Sequence, residues 1–267
     1  MGVLNVTPDS FSDGGLYATP RAAVARGLQM MEAGADLIDV GGESSRPGAG
    51  PVPVAIELER VVPVVEALAA AAEESERAVR LSVDTVKPEV ASAALAAGAS
   101  LVNDISASLW EVAAAAGAGW VAMHMQGQPR TMQENPRYGA VVEEVRSVLL
   151  ERAGRALRAG VSEVWIDPGI GFGKTTAHNL SLLRHLDDLV QAAAGAGCAG
   201  VMVGTSRKRF LGVLAAGGAS DAPAPVDDRL EGSLATAAAA LVAGVGRVRV
   251  HDVAATVQMA RLYGPAA

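Results

Sequence analysis

Apolar residues along this chain fall into two alternating patterns. Short runs recur as GVLNV (2–6), DLIDV (36–40), RLSVD (80–84), SLVND (100–104), WVAMH (120–124), EVWID (163–167), GVMVG (200–204) and RVRVH (247–251). Between them lie longer Ala- and Leu-rich stretches with helical spacing, at 20–33, 55–73, 88–97, 140–159 and 230–243. Runs this short and this apolar predict parallel strands buried on both faces. Thr19-Pro20 signals a helix start, and AGAD (33–36) ends that helix at Gly34. The same helix–Gly–strand join recurs in AAGAS (96–100), GAGW (117–120) and RAGVSEV (158–164). The stretch 213–228 has little periodicity and is expected to loop out before the last large helix.

Eight such units in 267 residues, with no break in composition, predict one domain over 1–267, an α/β fold of the (β/α)8 TIM-barrel type. An open doubly wound sheet is the competitor, and it rarely needs eight similar units.

Composition narrows the function. The chain is 50% hydrophobic, enough to bury a large core. A net charge of −7 disfavours non-specific nucleic-acid binding, although local Arg and Lys residues can still hold an anionic small molecule. The lone Cys198 rules out an internal disulfide framework and fits a reducing cytoplasm. No apolar run reaches transmembrane length, and no basic-plus-apolar leader precedes the first strand.

The stretch VWIDPGIGFGKTT (164–176) imitates a phosphate-binding P-loop. That loop needs Gly five residues before the Gly-Lys pair, so that successive backbone N–H groups wrap a phosphate. Pro168 stands there, with no N–H to offer. The better clue is Asp167, at the end of a strand. Barrel active sites form at the carboxyl ends of the strands. Those positions hold Asn5, Asp39, Asp84, Asn103 with Asp104, His124, Asp167, Thr205 onward, and Arg249 with His251. Any one Asp could be a helix cap. Several converging on one rim are harder to dismiss, because burying carboxylates is costly without a ligand. Asp84, Asn103, Asp167 and the basic SRKR (206–209) suit the edge of a flat heterocycle. Arg249 and His251 share one strand face and suit a phosphate or diphosphate. Asn5 could hold an oxygen-preferring ion such as Mg²⁺.

The motifs MGVLNVTPDSFSDGG (1–15), IDVGGESSRPGA (38–49), SVDT (82–85), VNDI (102–105), MHMQGQPRTMQ (123–133), IDPGIGFGKT (166–175), GTSRKRF (204–210) and RVHDV (249–253) follow one another along essentially the whole chain. Together they resemble the dihydropteroate synthase family of pterin-binding barrels. The resemblance implies a folate-pathway transferase and sulfonamide target. It would join 6-hydroxymethyl-7,8-dihydropterin diphosphate to p-aminobenzoate. It further implies that Asp84, Asn103, Asp167 and Lys208 hold the pterin, with Met123 and Phe172 lining its slot, and that Asp84, Asp167 and Lys208 serve the chemistry. Asn5, Arg249 and His251 would bind Mg²⁺ and diphosphate, with Asn5 as the metal ligand. Phe11, Ser45, Arg46 and Pro47 would surround p-aminobenzoate, on loops 7–17 and 41–54 that close over the site. Lys174 would sit beyond the pterin. A homodimer is implied as well, with the Ala-rich stretches 234–243 and 253–262 as candidate contacts.

Two departures stand out. Ser45 occupies a position where the family usually has Thr, and the chain begins inside the first strand, where relatives carry a preceding segment. A pterin-binding methyltransferase or a non-catalytic pterin-binding paralogue are the alternatives; neither needs both the Arg249–His251 pair and GGESSRP. His178, His185, Trp110, Trp120 and Trp165 read as surface or packing residues, and the Arg-rich helix 146–158 as a solvated face.

Overall fold

The computed structural model describes residues 1–7, 20–44, 50–218 and 222–263. Eight parallel strands run in chain order: β1 (Gly2–Asn5), β2 (Leu37–Gly41), β3 (Arg80–Asp84), β4 (Leu101–Asp104), β5 (Gly119–Met123), β6 (Val164–Asp167), β7 (Gly200–Val203) and β8 (Arg247–Val248). The last strand returns to the first: Val3 N–H donates to the Val250 carbonyl at 2.9 Å, and Val250 N–H to that of Met1 at 2.9 Å. These bonds close the barrel, which the apolar periodicity predicts.

Helices cover the outside: α1 (Pro20–Glu32), α2 (Val54–Glu73), α3 (Pro88–Ala96), α4 (Trp110–Ala115), α5 (Val141–Arg158), α6 (Thr176–Arg184), α7 (Leu186–Gly195), α8 (Arg209–Ala215), α9 (Leu230–Val242) and α10 (Val253–Tyr263). Pro20 and Pro88 open their helices, where a missing N–H costs nothing. Thr19, the expected cap, lies outside the described residues. Gly98 turns from α3 into β4 at φ +112°, a conformation that a Cβ would strain. The stretch 213–228 is not wholly a loop. Its first residues complete α8, because Val213 is buried and Arg229 donates to the Ala224 carbonyl, drawing the segment back over the helix.

Because strand side chains alternate, each strand divides its residues between two cores. Outward-facing Ile38, Val40, Val83, Val102, Trp120 and Ile166 pack against the helices. Inside the barrel, Leu37, Leu101, Val121, Trp165 and Met202 fill the middle, with Met1 beside them. Each such buried side chain contributes about 1.5–3 kcal/mol relative to exposure. Trp120 is fully buried, stacks edge-on against Trp110 at 5.9 Å, and donates its indole N–H to Asp104, so it is the packing anchor expected.

Below that layer a polar plug seals the amino end of the barrel. Glu163 accepts from Arg80 at 2.7 and 2.9 Å, from Arg247 at 2.8 Å and from the Trp165 indole at 2.8 Å. Arg247 also lies over the Trp165 ring, 3.8 Å from its centre.

Candidate active site

Inward-facing positions at the other end of the same strands build a narrow slot of about 30 Å³, lined by Asp84, Asn103, Met123, Asp167, Phe172, Lys208, Arg249 and His251 among others. All eight are site residues anticipated from the sequence. Parity explains who enters. Asn103 faces the slot, whereas its neighbour Asp104 faces away. Asp104 accepts backbone N–H groups from Ser106, Ser108 and Leu109, at 2.6–2.9 Å, so it ties the turn leading into α4, whose own N-cap Leu109 has no side-chain cap.

One wall is apolar. Ile105, Met123, Met132 and Phe172 form a small cluster, and the Lys208 ammonium lies 4.0 Å from the centre of the Phe172 ring. Opposite stand the carboxylates. Burial pushes the Asp84 carboxyl up to about 7, against the pull of Arg249. Burial likewise raises Asp167 to about 6, opposed by a 2.7 Å hydrogen bond from Gly169 N–H. Lys208 is lowered to about 8 by burial and by Arg249, while Asp167 and Asp84 hold it up. His251 is lowered to about 3 by burial and then by Arg249, and its ring nitrogen contacts Ser206 Oγ at 3.1 Å. Two acids near neutrality beside a lysine of lowered pKa mark a poised site.

The structure also supplies a residue to which sequence reasoning gave no role. Asp39 is fully buried inside the barrel, and its carboxylate accepts from Ser82 at 2.6 Å, Asn103 at 2.8 Å and Arg249 at 2.6 Å. Arg249 spans to Asp84 with its other arm, at 2.7 Å. Burial alone would lower the Arg249 pKa; Asp39 and Asp84 outweigh it and keep the guanidinium charged.

The glycine-rich loop after β6 docks on the loop after β5. A Cβ at Gly169 would lie 1.9 Å from the His124 carbonyl oxygen, and one at Gly173 2.3 Å from that of Gln126, so only glycine fits. Lys174 is buried in this joint. Its ammonium contacts His124 Nδ1 at 3.0 Å and the carbonyls of Gly169 and Phe172 at 3.1 and 3.0 Å. The motif therefore shapes the Phe172 wall, and its lysine is committed to its own backbone.

Asn5 ends β1 opposite Gly41, on the strand face of Val3, which lines the slot; Asn5 itself is not among the lining residues. Among the described residues no group of three His, Cys, Asp or Glu side chains could hold a metal ion. A lone carboxamide oxygen is a donor that fits Mg²⁺ only where phosphate oxygens supply the remaining ligands. Phe11, Ser45, Arg46 and Pro47 lie outside the described residues. Thr175 caps α6 by accepting from His178 N–H, and the His178 ring closes the capping box by accepting from Thr175 N–H and packs edge-on against Tyr138 at 4.9 Å, a structural role as expected.

A closed parallel barrel with acids, an amide and a lysine around a flat slot defines a class of heterocycle-binding enzymes. Residues 1–251 match the family described as pterin binding enzyme, and the chain belongs to it. Within that family its relatives include dihydropteroate synthases. That of Escherichia coli strain K12 is 45% identical over 98% of this chain and 89% of its own length, and that of Mycobacterium leprae 44% identical over 99% and 92%. Among solved structures, a Yersinia pestis dihydropteroate synthase with a sulfonamide drug complex superposes with TM-score 0.87 at 42% identity, covering 98% of this chain and 92% of that one. A Xanthomonas albilineans dihydropteroate synthase with 4-aminobenzoic acid gives 0.86 at 46% identity, covering 98% and 90%. The same enzyme in complex with 7,8-dihydropteroate gives 0.83 at 43%, covering 98% and 91%.

Proposed function

We infer that this chain is a transferase that condenses 6-hydroxymethyl-7,8-dihydropterin diphosphate with p-aminobenzoate, giving 7,8-dihydropteroate and diphosphate in folate synthesis. The observation that carries the reading is the meeting of Asp84, Asn103, Asp167 and Lys208 with Arg249 and His251 on one rim. The first four read a pterin ring, which enters by parting the Lys208–Phe172 pair. A methyltransferase acting on a pterin would have no use for the Arg249–His251 pair.

Among the described residues none in the slot is placed as a nucleophile, and none is needed if the pterin C–O bond breaks first. The bonding electrons then leave with diphosphate, next to Arg249 and His251. The buried carboxylates of Asp84 and Asp167 favour the positive charge that develops on the pterin methylene. The aniline nitrogen of p-aminobenzoate attacks that carbon and releases a proton. The reading assigns p-aminobenzoate, and any competing sulfonamide, to Phe11, Ser45, Arg46 and Pro47. Mg²⁺ held by Asn5 and diphosphate would supply charge neutralisation to the leaving group. A homodimer and a cytoplasmic location complete the proposal. Exposed Val242, Leu262 and Tyr263 on the outer helices support the first, and the single, unpaired Cys198 the second.

The test is product formation from both substrates, with Mg²⁺ present or chelated, by the wild type and Asp167→Asn. Dihydropteroate that needs Mg²⁺ and drops at least about 100-fold in the variant is expected. A wild type that binds pterin and makes no product overturns the reading.

A further inference from the structure

Asp39 touches three of the residues that shape the slot, directly or through one hydrogen bond, yet lies beneath them and is not among those that line it. Its Oδ1 takes the Ser82 hydroxyl, and its Oδ2 takes both the Asn103 amide N–H and Arg249 Nε–H. A carboxylate accepts and cannot donate, so both of these neighbours must present donors to it. For Asn103 this has a definite consequence. With one amide N–H held by Asp39 the group cannot flip, so its carbonyl oxygen keeps a fixed place at the slot. Asp84 and Asp167, which flank Asn103 in the lining, accept when ionised. The slot thus offers acceptors from β3, β4 and β6, with the Lys208 ammonium as a donor.

We propose that Asp39 is the positioning residue that sets the hydrogen-bond polarity of the slot, locking Asn103 as an acceptor and Arg249 beneath the ring, and so selecting a 2-amino over a 2-oxo heterocycle. The inference rests on the functional reading above. A 2-amino ring turns an N–H donor toward the acceptors. A 2-oxo ring turns an oxygen toward them, and Asn103 cannot rotate to greet it while Asp39 holds its amide.

Charge enters separately. The groups facing Asp39 electrostatically are Arg249, Asp84 and the Met1 ammonium, with Asp167, Lys208 and Glu57 acting on the same pair. The negative charge of Asp39 is one of the influences that raise the Asp84 carboxyl. Asp39→Asn can keep all three hydrogen bonds, with its oxygen toward Asn103 and Arg249 and its NH₂ toward Ser82, while removing that charge. Asp39→Ala removes both.

The experiment is calorimetric binding of 6-hydroxymethylpterin and of its 2-oxo (lumazine) analogue, across pH, to wild type, Asp39→Asn and Asp39→Ala, with thermal melts to establish folding. The wild type should prefer the pterin by about tenfold or more, and Asp39→Ala should lose about tenfold of that preference because the freed amide can turn. Asp39→Asn should keep the preference and move the acidic fall in pterin affinity to lower pH, since Asp84 then ionises more readily. That shift is a change a merely structural residue would not cause. Should Asp39→Ala fail to fold, the Asp39→Asn profile decides alone. A folded Ala variant with wild-type preference, or an Asn profile that superimposes on wild type, overturns the inference. A wild type that binds neither ring overturns the functional reading and this inference with it.

Discussion

Arg247 on the last strand and Arg249 just beyond its end stand two residues apart, both turned into the barrel, and they serve opposite ends of it. Arg247 meets Glu163, which collects four hydrogen bonds from Arg80, Arg247 and Trp165. Those donors, Arg80 first, hold the Glu163 carboxyl down at about 2. Arg249 meets Asp39 and Asp84 at the other end, where burial outweighs the hydrogen bonds and Asp84 is pushed up to about 7. The same residue types thus make a donor-rich plug below and a poised site above. The difference lies in how many donors each carboxylate receives for its burial. A site that must accept hydrogen bonds from a ligand cannot also be saturated by its own protein.

Three substitutions sharpen that contrast. The largest effect belongs to Lys208→Met at the rim, expected to lower turnover by about 10²–10³-fold while the melting temperature holds. Steady-state kinetics beside a melt checks it, and a loss of fold in place of activity would break the distinction. Next comes Glu163→Gln at the plug. Removing one charge from a partly buried network costs about 2 kcal/mol, which lowers the melting temperature by roughly 4–8 °C with kcat kept within about twofold. Glu163 has a depressed pKa, so its contribution is present above the unfolded carboxylate pKa and is lost as pH falls toward 2. The gap between wild type and variant should therefore close in acid.

The smallest effect on stability is that of Asp84→Asn, and its sign is opposite. Asp84 has a raised folded pKa, so ionising it works against folding above about pH 7, and the penalty vanishes below the unfolded value near 3.8. The variant should melt higher at pH 8 by about 1 kcal/mol of stability and lose that advantage near pH 4, while its activity collapses. Denaturant titration at the two pH values measures this.

Much of this was legible in the sequence, and what was not has a physical cause. The strands are short apolar runs bounded by Gly and polar residues, so their periodicity reports them directly, and β3 occupies the predicted residues 80–84. Asp84, Asn103, Asp167, Arg249 and His251 were legible because they close apolar runs at the carboxyl ends of their strands, and Lys208 because it sits in the basic SRKR that follows one, whereas Met123 and Phe172 came with the family resemblance. Asp39 sits in the same kind of position, but its role depends on Arg249, 210 residues away, and no local pattern encodes that pairing. Glu163 was missed for the same reason: its partner Arg80 is 83 residues distant. Lys174 was expected only to sit beyond the pterin, and the docking of the glycine-rich turn on the His124 loop shows where: buried against its own backbone. The end of α8 was hidden because its seven residues are too few for a clear helical period.

The most direct measurement is the pH dependence of kcat/KM for dihydropteroate formation, from pH 5 to 9, on wild type and Glu163→Gln. If the carboxylates at the rim must be ionised to act, activity falls on the acid side as pH passes from about 7 to about 6, where Asp84 and Asp167 take up protons. The limb should be the same in Glu163→Gln, whose missing carboxylate lies at the far end of the barrel. A profile flat down to pH 5, or a limb that moves with Glu163, would contradict the division of labour between the two ends.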